Sequence, residues 1–241
     1  MMIRSRTLVR VLSKTGRCSR TEAFDLIRSG RVEMDGHIVK EPNAPVPSGA
    51  RITVDGKVSA KAAKVYIAFH KPAGCITTCK DEKSRKTVYD ALGDVGSRVF
   101  PVGRLDRDSE GILIFTNDTA FGDFLTDPAN KIPRSYEATV SGLFSDDALR
   151  RMRLGVDIGR GEISRPRSAK VISRNGVSTV LEITLTEGKN REIRRLCEAL
   201  GAPVKRLVRK SFGPFRLGGL PLGKRRELDG SFCVDLYSRR R

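Results

Sequence analysis

The sequence has 241 residues, of which 39% are apolar, enough to bury a core in one large domain with a smaller one beside it. Its net charge of +18, from 46 Lys and Arg against 28 Asp and Glu, favours a polyanionic partner such as nucleic acid over a small metabolite. The sequence contains neither an 18-residue apolar run nor a signal-peptide core, which predicts a cytoplasmic protein with no membrane partner. Its five cysteines form no C-x-x-C pair and its two histidines are isolated, which argues against a metal site or a disulfide framework.

The first part of the chain is predicted to form two short helices and a hairpin. An amphipathic stretch from Leu8 to Leu12 ends near Gly16. The sequence Ser19-Arg20-Thr21-Glu22 is a capping box, which predicts a second helix ending at Gly30. Apolar and polar residues then alternate on both sides of Asp35-Gly36, the signature of a β-hairpin.

A further strand and a linker follow this hairpin. Arg51 to Val54 is predicted as a strand that ends at Asp55-Gly56, and Lys57 to Lys64 as a polar linker. The domain boundary is placed near residue 61, with one domain over residues 1–60 and a second over residues 65–241.

Basic side chains are concentrated on the two predicted helices of the first domain. They are Arg4, Arg6, Arg10, Lys14, Arg17, Arg20 and Arg28. Such a face supplies sequence-independent affinity through contacts with phosphate groups, so RNA binding is the predicted role. The alternative is a small α+β module whose arginines only solvate its surface.

The second domain is predicted to be an α+β domain, because strands often follow one another without an intervening helix. The predicted strands are Val65–Phe69, Val99–Val102, Gly111–Phe115, Tyr136–Val140, Val177–Leu185 and Pro203–Val208. The predicted helices are Val88–Leu92, Phe121–Leu125, Asp146–Arg153 and Arg191–Leu200. The pattern indicates a mixed, largely antiparallel sheet with flanking helices.

The segment from Gly103 to Gly111 has the features of a catalytic loop. It lies between two apolar strands, and its glycines permit tight turns. Asp106 lies between Arg104 and Arg107, and this positive charge would suit a carboxylate that acts as a nucleophile or base. Charged turns of this kind are also common without any catalytic role.

Ordered motifs along the chain resemble those of a known enzyme family. Gly103-Arg104-Leu105-Asp106 followed by Ser109 to Asp118 resembles the signature loop of pseudouridine synthases. Upstream, Lys71-Pro72-Ala73-Gly74 with Thr77-Thr78 resembles the family's Lys-Pro-x-Gly motif. Downstream, Arg134-Ser135-Tyr136 and Glu187 to Leu196 resemble its remaining motifs. The N-terminal helix-helix-hairpin order resembles the ribosomal-protein-S-four-like RNA-binding domain, and the whole is similar to ribosomal RNA pseudouridine synthases of the RsuA/RluB type.

This resemblance implies roles for three residues and needs no cofactor or metal. Asp106 would be the nucleophile, Tyr136 would stack on a flipped-out uracil, and Arg194 would pair with Asp106. Extrusion is physically required, because a carboxylate cannot reach the glycosidic bond of a stacked base. Without the motifs, Tyr136 would be interpreted as an ordinary half-buried strand residue.

A larger set of basic residues is predicted to contact RNA. In the second domain it comprises Arg104, Lys71, Lys189, Arg191, Arg195, Lys205, Arg206 and Arg209, and in the first Arg10, Arg20 and Arg31. Three positions depart from the family pattern: His70 for Asn, Glu192 for Gln and Thr119 for Gly. An added carboxylate at Glu192 is expected to repel phosphate unless Arg191 or Arg195 neutralises it.

The predicted function is isomerisation of a specific uridine in ribosomal RNA, by a monomeric enzyme acting on free RNA or on a ribosome-assembly intermediate. The segment Lys80 to Val88 and the Asp106 loop favour the large subunit. One alternative is a non-catalytic ribosome-assembly factor, which would not need the Asp106 loop. Another is a nucleoside hydrolase, which would use Asp108 or Glu110 as a second acid.

Overall fold

The computed structural model describes residues 7–15, 18–59, 62–78 and 84–238. They form two compact units, one containing the chain up to Val65 together with Asp94–Phe100 and Thr116–Thr119, the other the remainder. Within the described residues no helix is long and apolar enough to cross a membrane. Arg4, Arg6, Gly16 and Arg17 lie outside the described residues, as do residues 80–83 of the segment that favoured the large subunit.

The first unit contains the predicted helix-helix-hairpin order. Its elements are α1 (Leu8–Ser13), α2 (Arg20–Arg28), β1 (Val32–Met34), β2 (His37–Ile38), β3 (Ile52–Val54) and β4 (Lys57–Val58). The predicted capping box is confirmed, because the Glu22 N–H donates to Ser19 Oγ at 3.1 Å and the Ser19 N–H to Glu22 Oε2 at 2.9 Å. Leu8, Leu12 and Ile27 are buried where the two helices meet the sheet.

The predicted linker after Gly56 contains a strand. Asp35-Gly36 and Asp55-Gly56 both have positive φ angles, so each pair forms the tight turn of a hairpin. The second turn joins β3 to β4, and the resulting sheet has the order β2-β1-β3-β4. The assignment of Lys57 to a linker was therefore wrong, since the same turn signal that was recognised in the first hairpin operates in the second.

The second unit is built on a long mixed sheet, which confirms the predicted α+β fold class. Its strands are β5 (Tyr66–Lys71), β6 (Phe100–Val102), β7 (Glu110–Thr116), β8 (Arg134–Ser141), β9 (Val156–Asp157), β10 (Ile163–Ser164), β11 (Ser168–Arg174), β12 (Ser178–Leu185), β13 (Val204–Phe212), β14 (Phe215–Arg216) and β15 (Arg225–Glu227). Its helices are α3 (Val88–Leu92), α4 (Thr119–Thr126), α5 (Asp146–Leu154), α6 (Glu192–Ala199) and α7 (Gly230–Ser238). The main path of the sheet runs β11-β12-β8-β13-β7-β5-β15.

The predicted elements of this unit are present, and the structure adds others. Strand β11 lies at the edge of the sheet with a register shift between Val171 and Ser173, and most of its side chains are exposed. The apolar alternation expected of a strand is therefore weak there. Helix α7 begins after Asp229, whose carboxylate accepts from the N–H groups of Ser231 and Phe232. Asp229 is a typical N-cap residue, so the sequence contained a signal for this helix that was not recognised.

Gly111 lies where two strands approach closely. It pairs with Arg209 in the parallel contact between β7 and β13, and its φ is +114°. A Cβ atom at this position would lie 2.3 Å from the Arg209 carbonyl oxygen. Gly111 is thus required by the packing of two strands and not only by a turn, and it places the end of the Asp106 loop beside the centre of β13.

Candidate active site

A cavity of about 500 Å³ contains most of the predicted catalytic and several predicted RNA-binding side chains of the second unit. The Asp106 loop forms one wall, and the chain from Leu185 to Ile193 forms another. The strand residues Arg134, Tyr136 and Arg209 also line it. Three motifs that are far apart in sequence therefore meet at a single cavity.

A buried lysine, Lys71, binds the main chain of the Asp106 loop. The ammonium group of Lys71 donates to the carbonyl oxygens of Asp106 and Ser109 at 3.0 and 2.8 Å, and to those of Pro72 and Arg107 at 3.1 and 3.3 Å. Lys71 is fully buried, and burial lowers its pKa. Nearby negative charges, Asp106 among them, oppose this fall. The prediction that Lys71 contacts RNA was wrong, because its donors are taken up by the protein main chain.

Two further contacts from the same segment hold this loop. Thr77 Oγ1 donates to the Leu105 carbonyl oxygen at 2.8 Å, and the Leu105 N–H returns a bond to that hydroxyl at 3.3 Å. The Gly74 N–H donates to the Arg107 carbonyl oxygen at 2.8 Å. Hydrogen bonds therefore join the Lys-Pro-x-Gly segment to the Asp106 loop.

The carboxylate of Asp106 is partly exposed. Its side chain is 32% exposed, and the closest cation is Arg191, whose Nη1 lies 3.9 Å from Asp106 Oδ2. Arg191 has a φ of +49° and forms the N-cap position of α6, so the helix begins one residue after the predicted start at Arg191. An accessible carboxylate on a rigid main chain is suited to attack on a bound substrate.

Arg194 does not pair with the Asp106 carboxylate as expected. Its Nη2 donates to the Asp108 carbonyl oxygen at 2.9 Å and its Nη1 to the Val204 carbonyl oxygen at 3.3 Å, while its buried Nε has no partner. Its position one turn into α6 directs the guanidinium to main-chain oxygens of the loop and of β13. Arg194 therefore joins the Asp106 loop to the sheet, and Arg191 supplies the charge near the carboxylate.

Side chains of the neighbouring strands β8 and β13 form the floor of the cavity. Tyr136 on β8 lies opposite Arg209 on β13, and Arg134 lies opposite Phe212. Residues directly opposite each other in an antiparallel pair share a face, so all four side chains project from the same side of the sheet. Tyr136 is only partly buried, which leaves its ring accessible from the cavity.

Glu192, a departure from the family pattern, is buried at the start of α6. Its Oε1 accepts from Ser164 Oγ at 2.7 Å and its Oε2 from the Lys189 N–H at 3.0 Å. Burial raises the pKa of Glu192, and these hydrogen bonds oppose the rise. The carboxylate is therefore directed at protein donors and not at solvent.

Two other predicted RNA contacts are used to hold the hairpin formed by β9 and β10. Arg195 donates to the Ile158 and Gly159 carbonyl oxygens at 2.9 and 2.7 Å and pairs with Glu162 at 2.6 Å. Its side chain is 14% exposed, so its assignment as a solvent-facing phosphate contact was wrong. Lys189 donates to the Ile163 carbonyl oxygen at 2.7 Å and pairs with Glu187. This hairpin was not predicted, and its carbonyl oxygens are the partners of both Lys189 and Arg195.

The cations of β13 differ in exposure. Arg209 is 2% exposed and donates through Nε to the Ile112 carbonyl oxygen at 2.8 Å, so it lies in the cavity wall and not on an open groove, and its contact with RNA stays a prediction. Arg206 is exposed and forms a two-point ion pair with Glu110, which lowers the pKa of Glu110. Lys205 is exposed, as is Arg104 at the mouth of the cavity.

In the first unit the three predicted RNA-binding arginines lie at accessible positions. Arg10 is on α1 and Arg20 opens α2. Arg31 precedes β1 and pairs with Asp55 at 2.6 Å on the surface. In the described part of the chain no group of three His, Cys, Asp or Glu side chains is placed to hold a metal ion.

Comparison with known proteins identifies the family. A model described as RNA pseudouridylate synthase matches residues 65–199, more than half of the chain, and a model of the S4 domain matches residues 6–52. The chain belongs to the RNA pseudouridylate synthase family. The predicted enzyme class and the predicted N-terminal RNA-binding module are thereby confirmed.

Relatives of this pseudouridine synthase match over most of its length. A Bacillus subtilis protein named ribosomal large subunit pseudouridine synthase B is 34% identical over 92% of this chain and 91% of its own. A protein of the same name from Escherichia coli K12 is 37% identical over 93% of this chain and 80% of its own. A solved structure described as pseudouridylate synthase is similar in fold, with a TM-score of 0.65 at 24% identity over 95% of this chain and 99% of that one.

Proposed function

We propose that this enzyme converts one uridine of large-subunit ribosomal RNA to pseudouridine, with Asp106 as the nucleophile on a flipped-out base. The observation that carries the proposal is the Asp106 carboxylate on a rigid loop at a cavity that Tyr136 also lines. The names of the Bacillus subtilis and Escherichia coli relatives support ribosomal RNA of the large subunit as the substrate.

The reaction requires no external reagent. The Asp106 carboxylate attacks C1′ of the ribose, the C1′–N1 bond breaks, and its electron pair leaves with the base. After the base turns, C5 bonds to C1′ and the carboxylate is released; C5 then gives up its proton and N1 takes one up, so that a proton moves from C5 to N1 in the net reaction. Atoms and electrons balance within the nucleotide, so the protein has to position the base and stabilise charge.

The remaining residues take supporting roles in this proposal. Tyr136 stacks on the extruded base, and Arg194 is a positioning residue that holds the Asp106 loop through Asp108. Arg104, Arg191, Lys205 and Arg206 are placed for contacts with the RNA backbone near the cavity. Residues 1–60 bind RNA through Arg10, Arg20 and Arg31, and residues 65–241 carry out the reaction. The enzyme acts as a cytoplasmic monomer on ribosomal RNA, free or in an assembly intermediate.

The decisive experiment is a map of pseudouridines in ribosomal RNA from cells with and without the gene. One site in the large-subunit RNA should lose its pseudouridine in the deletion strain and regain it when the gene is restored. Restoration with Asp106→Asn should leave the site unmodified. An unchanged map would refute the proposal, and a change confined to small-subunit RNA would refute the substrate.

Tyr136 provides a separate test of the flipped base. Tyr136→Phe should keep binding of an RNA that carries a fluorescent base analogue at the target position, whereas Tyr136→Leu should weaken it by about 1–3 kcal/mol, the value of one stacked base. Binding is followed by the quenching of the analogue on titration with enzyme. If Phe and Leu variants quench and bind equally, Tyr136 is only a strand residue.

A further inference from the structure

Two arginines in the cavity floor, Arg209 buried and Arg134 partly buried, share one aromatic ring. The guanidinium carbon of Arg134 lies 4.8 Å from the centre of the Phe212 ring, and that of Arg209 lies 4.9 Å from it. All three side chains line the cavity that holds Asp106. We refer to Arg134, Arg209 and Phe212 as the arginine cluster.

The protein uses few of the donors in this cluster. A guanidinium carries five N–H donors. Arg209 uses its Nε on the Ile112 carbonyl oxygen, and its buried Nη2 has no partner. Arg134 donates to the carbonyl oxygens of Glu187 and Leu125, both at the long distance of 3.2 Å. Most of the donors of the cluster remain available for a ligand.

The cluster also lacks a close counter-charge. Among the ion pairs of the described residues, none joins Arg134 or Arg209 to a carboxylate within 4.0 Å, although Arg209 is buried and Arg134 partly buried. Burial lowers the pKa of Arg134 and the charge of Arg209 lowers it further, while Tyr136 and the more distant Glu192 oppose this fall. Two adjacent cations with unused donors are costly to keep in the wall of a cavity, unless a ligand supplies negative charge.

The proposed reaction places such charge on the base. When the C1′–N1 bond breaks, the electron pair spreads from N1 onto the carbonyl oxygens at C2 and C4 of uracil. We infer that Arg134 and Arg209 form an oxyanion site that donates N–H bonds to a uracil carbonyl oxygen as the base departs. The charge leaves the oxygen again when C5 bonds to C1′, and the later transfer of a proton from C5 to N1 leaves the base neutral. This inference rests on the proposed function.

The position of the cluster favours the base over a backbone phosphate as the source of the charge. Arg209 is the cross-strand partner of Tyr136, the residue on which the base would stack. A buried side chain beside the stacking platform is within reach of the base and is remote from bulk solvent, where the backbone phosphates remain. Fixed donors in a site closed to water stabilise developing charge most strongly.

The test compares two leaving bases within one enzyme preparation. An unmodified transcript of the host's large-subunit ribosomal RNA is made with uridine or with 5-fluorouridine, whose base departs more readily because fluorine makes it more acidic. Cleavage of the C1′–N1 bond is followed under single-turnover conditions with saturating enzyme, by nucleoside analysis after digestion. Arg209→Met and Arg134→Met should slow uridine by about 10²-fold or more, the loss typical of a missing oxyanion donor. They should slow 5-fluorouridine by about tenfold less, because the better leaving base needs less stabilisation.

Because the ratio of the two rates is taken within one preparation, any change in the folded fraction cancels. Arg209→Lys keeps the charge and should recover part of the uridine rate. Arg153→Met is the matched control, since its guanidinium binds the Ala169 carbonyl oxygen and does not line this cavity, and it should show the wild-type ratio. RNA affinity and its dependence on salt should stay unchanged in the cluster variants.

Three outcomes would overturn the inference while leaving the proposed function intact. Equal slowing of both substrates would make the cluster a structural feature. Weaker RNA binding with a flatter salt dependence would make it a phosphate contact. Full activity of Arg209→Met and Arg134→Met would leave it without a role. A wild-type enzyme that modifies no uridine would instead overturn the proposed function, and this inference with it.

Discussion

Asp106→Asn should abolish pseudouridine formation by the purified enzyme, with a fall in rate of at least about 10⁴-fold and RNA affinity nearly intact. The amide is a poor nucleophile, so no bond to C1′ forms. Affinity should persist because phosphate contacts from basic side chains supply most of the binding free energy. Single-turnover isomerisation of a ribosomal RNA transcript measures the rate, and mass spectrometry of the enzyme excludes deamidation back to aspartate.

Asp108→Asn is the matched control for this prediction. Asp108 lies on the same loop, its side chain is 64% exposed, and its contact with Arg107 is at 4.0 Å. Its replacement should leave the rate within about threefold of wild type, as expected for an exposed surface position. Measurable isomerisation by a confirmed Asp106→Asn protein would remove Asp106 from the role of nucleophile.

The two-carboxylate hydrolase alternative can be judged from the same loop. Such an enzyme needs a second acid that is protonated near neutral pH. Glu110 does not meet this requirement, because Arg206 lowers its pKa. Asp108 is exposed and does not line the cavity that contains Asp106. Release of free uracil during the reaction would nevertheless revive this alternative, and isomerisation without release would exclude it.

Local signals in the sequence predicted local structure well. The capping box at Ser19 and the Asp-Gly turns depend on residues within four positions of one another, and the sequence displays them directly. The strands of the long sheet were recognisable where one or both faces are apolar, as in β7 and β12. Edge strand β11 was not, because only Ala169 and Val171 face the core before a register shift, and the side chains that follow are exposed.

The side-chain partners in the site were harder to predict, since they depend on contacts between distant segments. The sequence shows that Lys71, Arg195 and Arg209 are basic, but not that each is surrounded by main-chain oxygens from another element. A net charge of +18 favours interpreting every cation as an RNA contact. The fold instead uses several of them as internal donors. The cation beside Asp106 is Arg191 and not Arg194, whose guanidinium donates to main-chain oxygens of the loop and of β13.

Lys71→Met should have the second largest effect and should lower both stability and rate. Methionine fills much of the same space but leaves the carbonyl oxygens of Pro72, Asp106, Arg107 and Ser109 without the ammonium donor. A buried polar group that loses its partner costs about 1–3 kcal/mol. Relaxation of the loop would relieve part of this cost. The free energy of unfolding should therefore fall by about 2–4 kcal/mol, as measured by urea denaturation.

The rate should fall together with stability, because the same four bonds position the Asp106 main chain. A displacement of the reacting carboxylate by about 1 Å can cost about 10²-fold in rate, so a loss between about tenfold and 10²-fold is expected under single-turnover conditions at a temperature where the variant is folded. Thr77→Val removes one hydroxyl that contacts Leu105 in the same loop and should cause a smaller loss of both quantities. Lys170→Met is the matched control, since Lys170 forms only an exposed pair with Glu182 and should change neither by much. If Lys71→Met unfolds like wild type but loses the rate, the ammonium acts on the substrate and not through the loop. If it retains both, the contacts from Gly74, Thr77 and Arg194 are sufficient to hold the Asp106 loop.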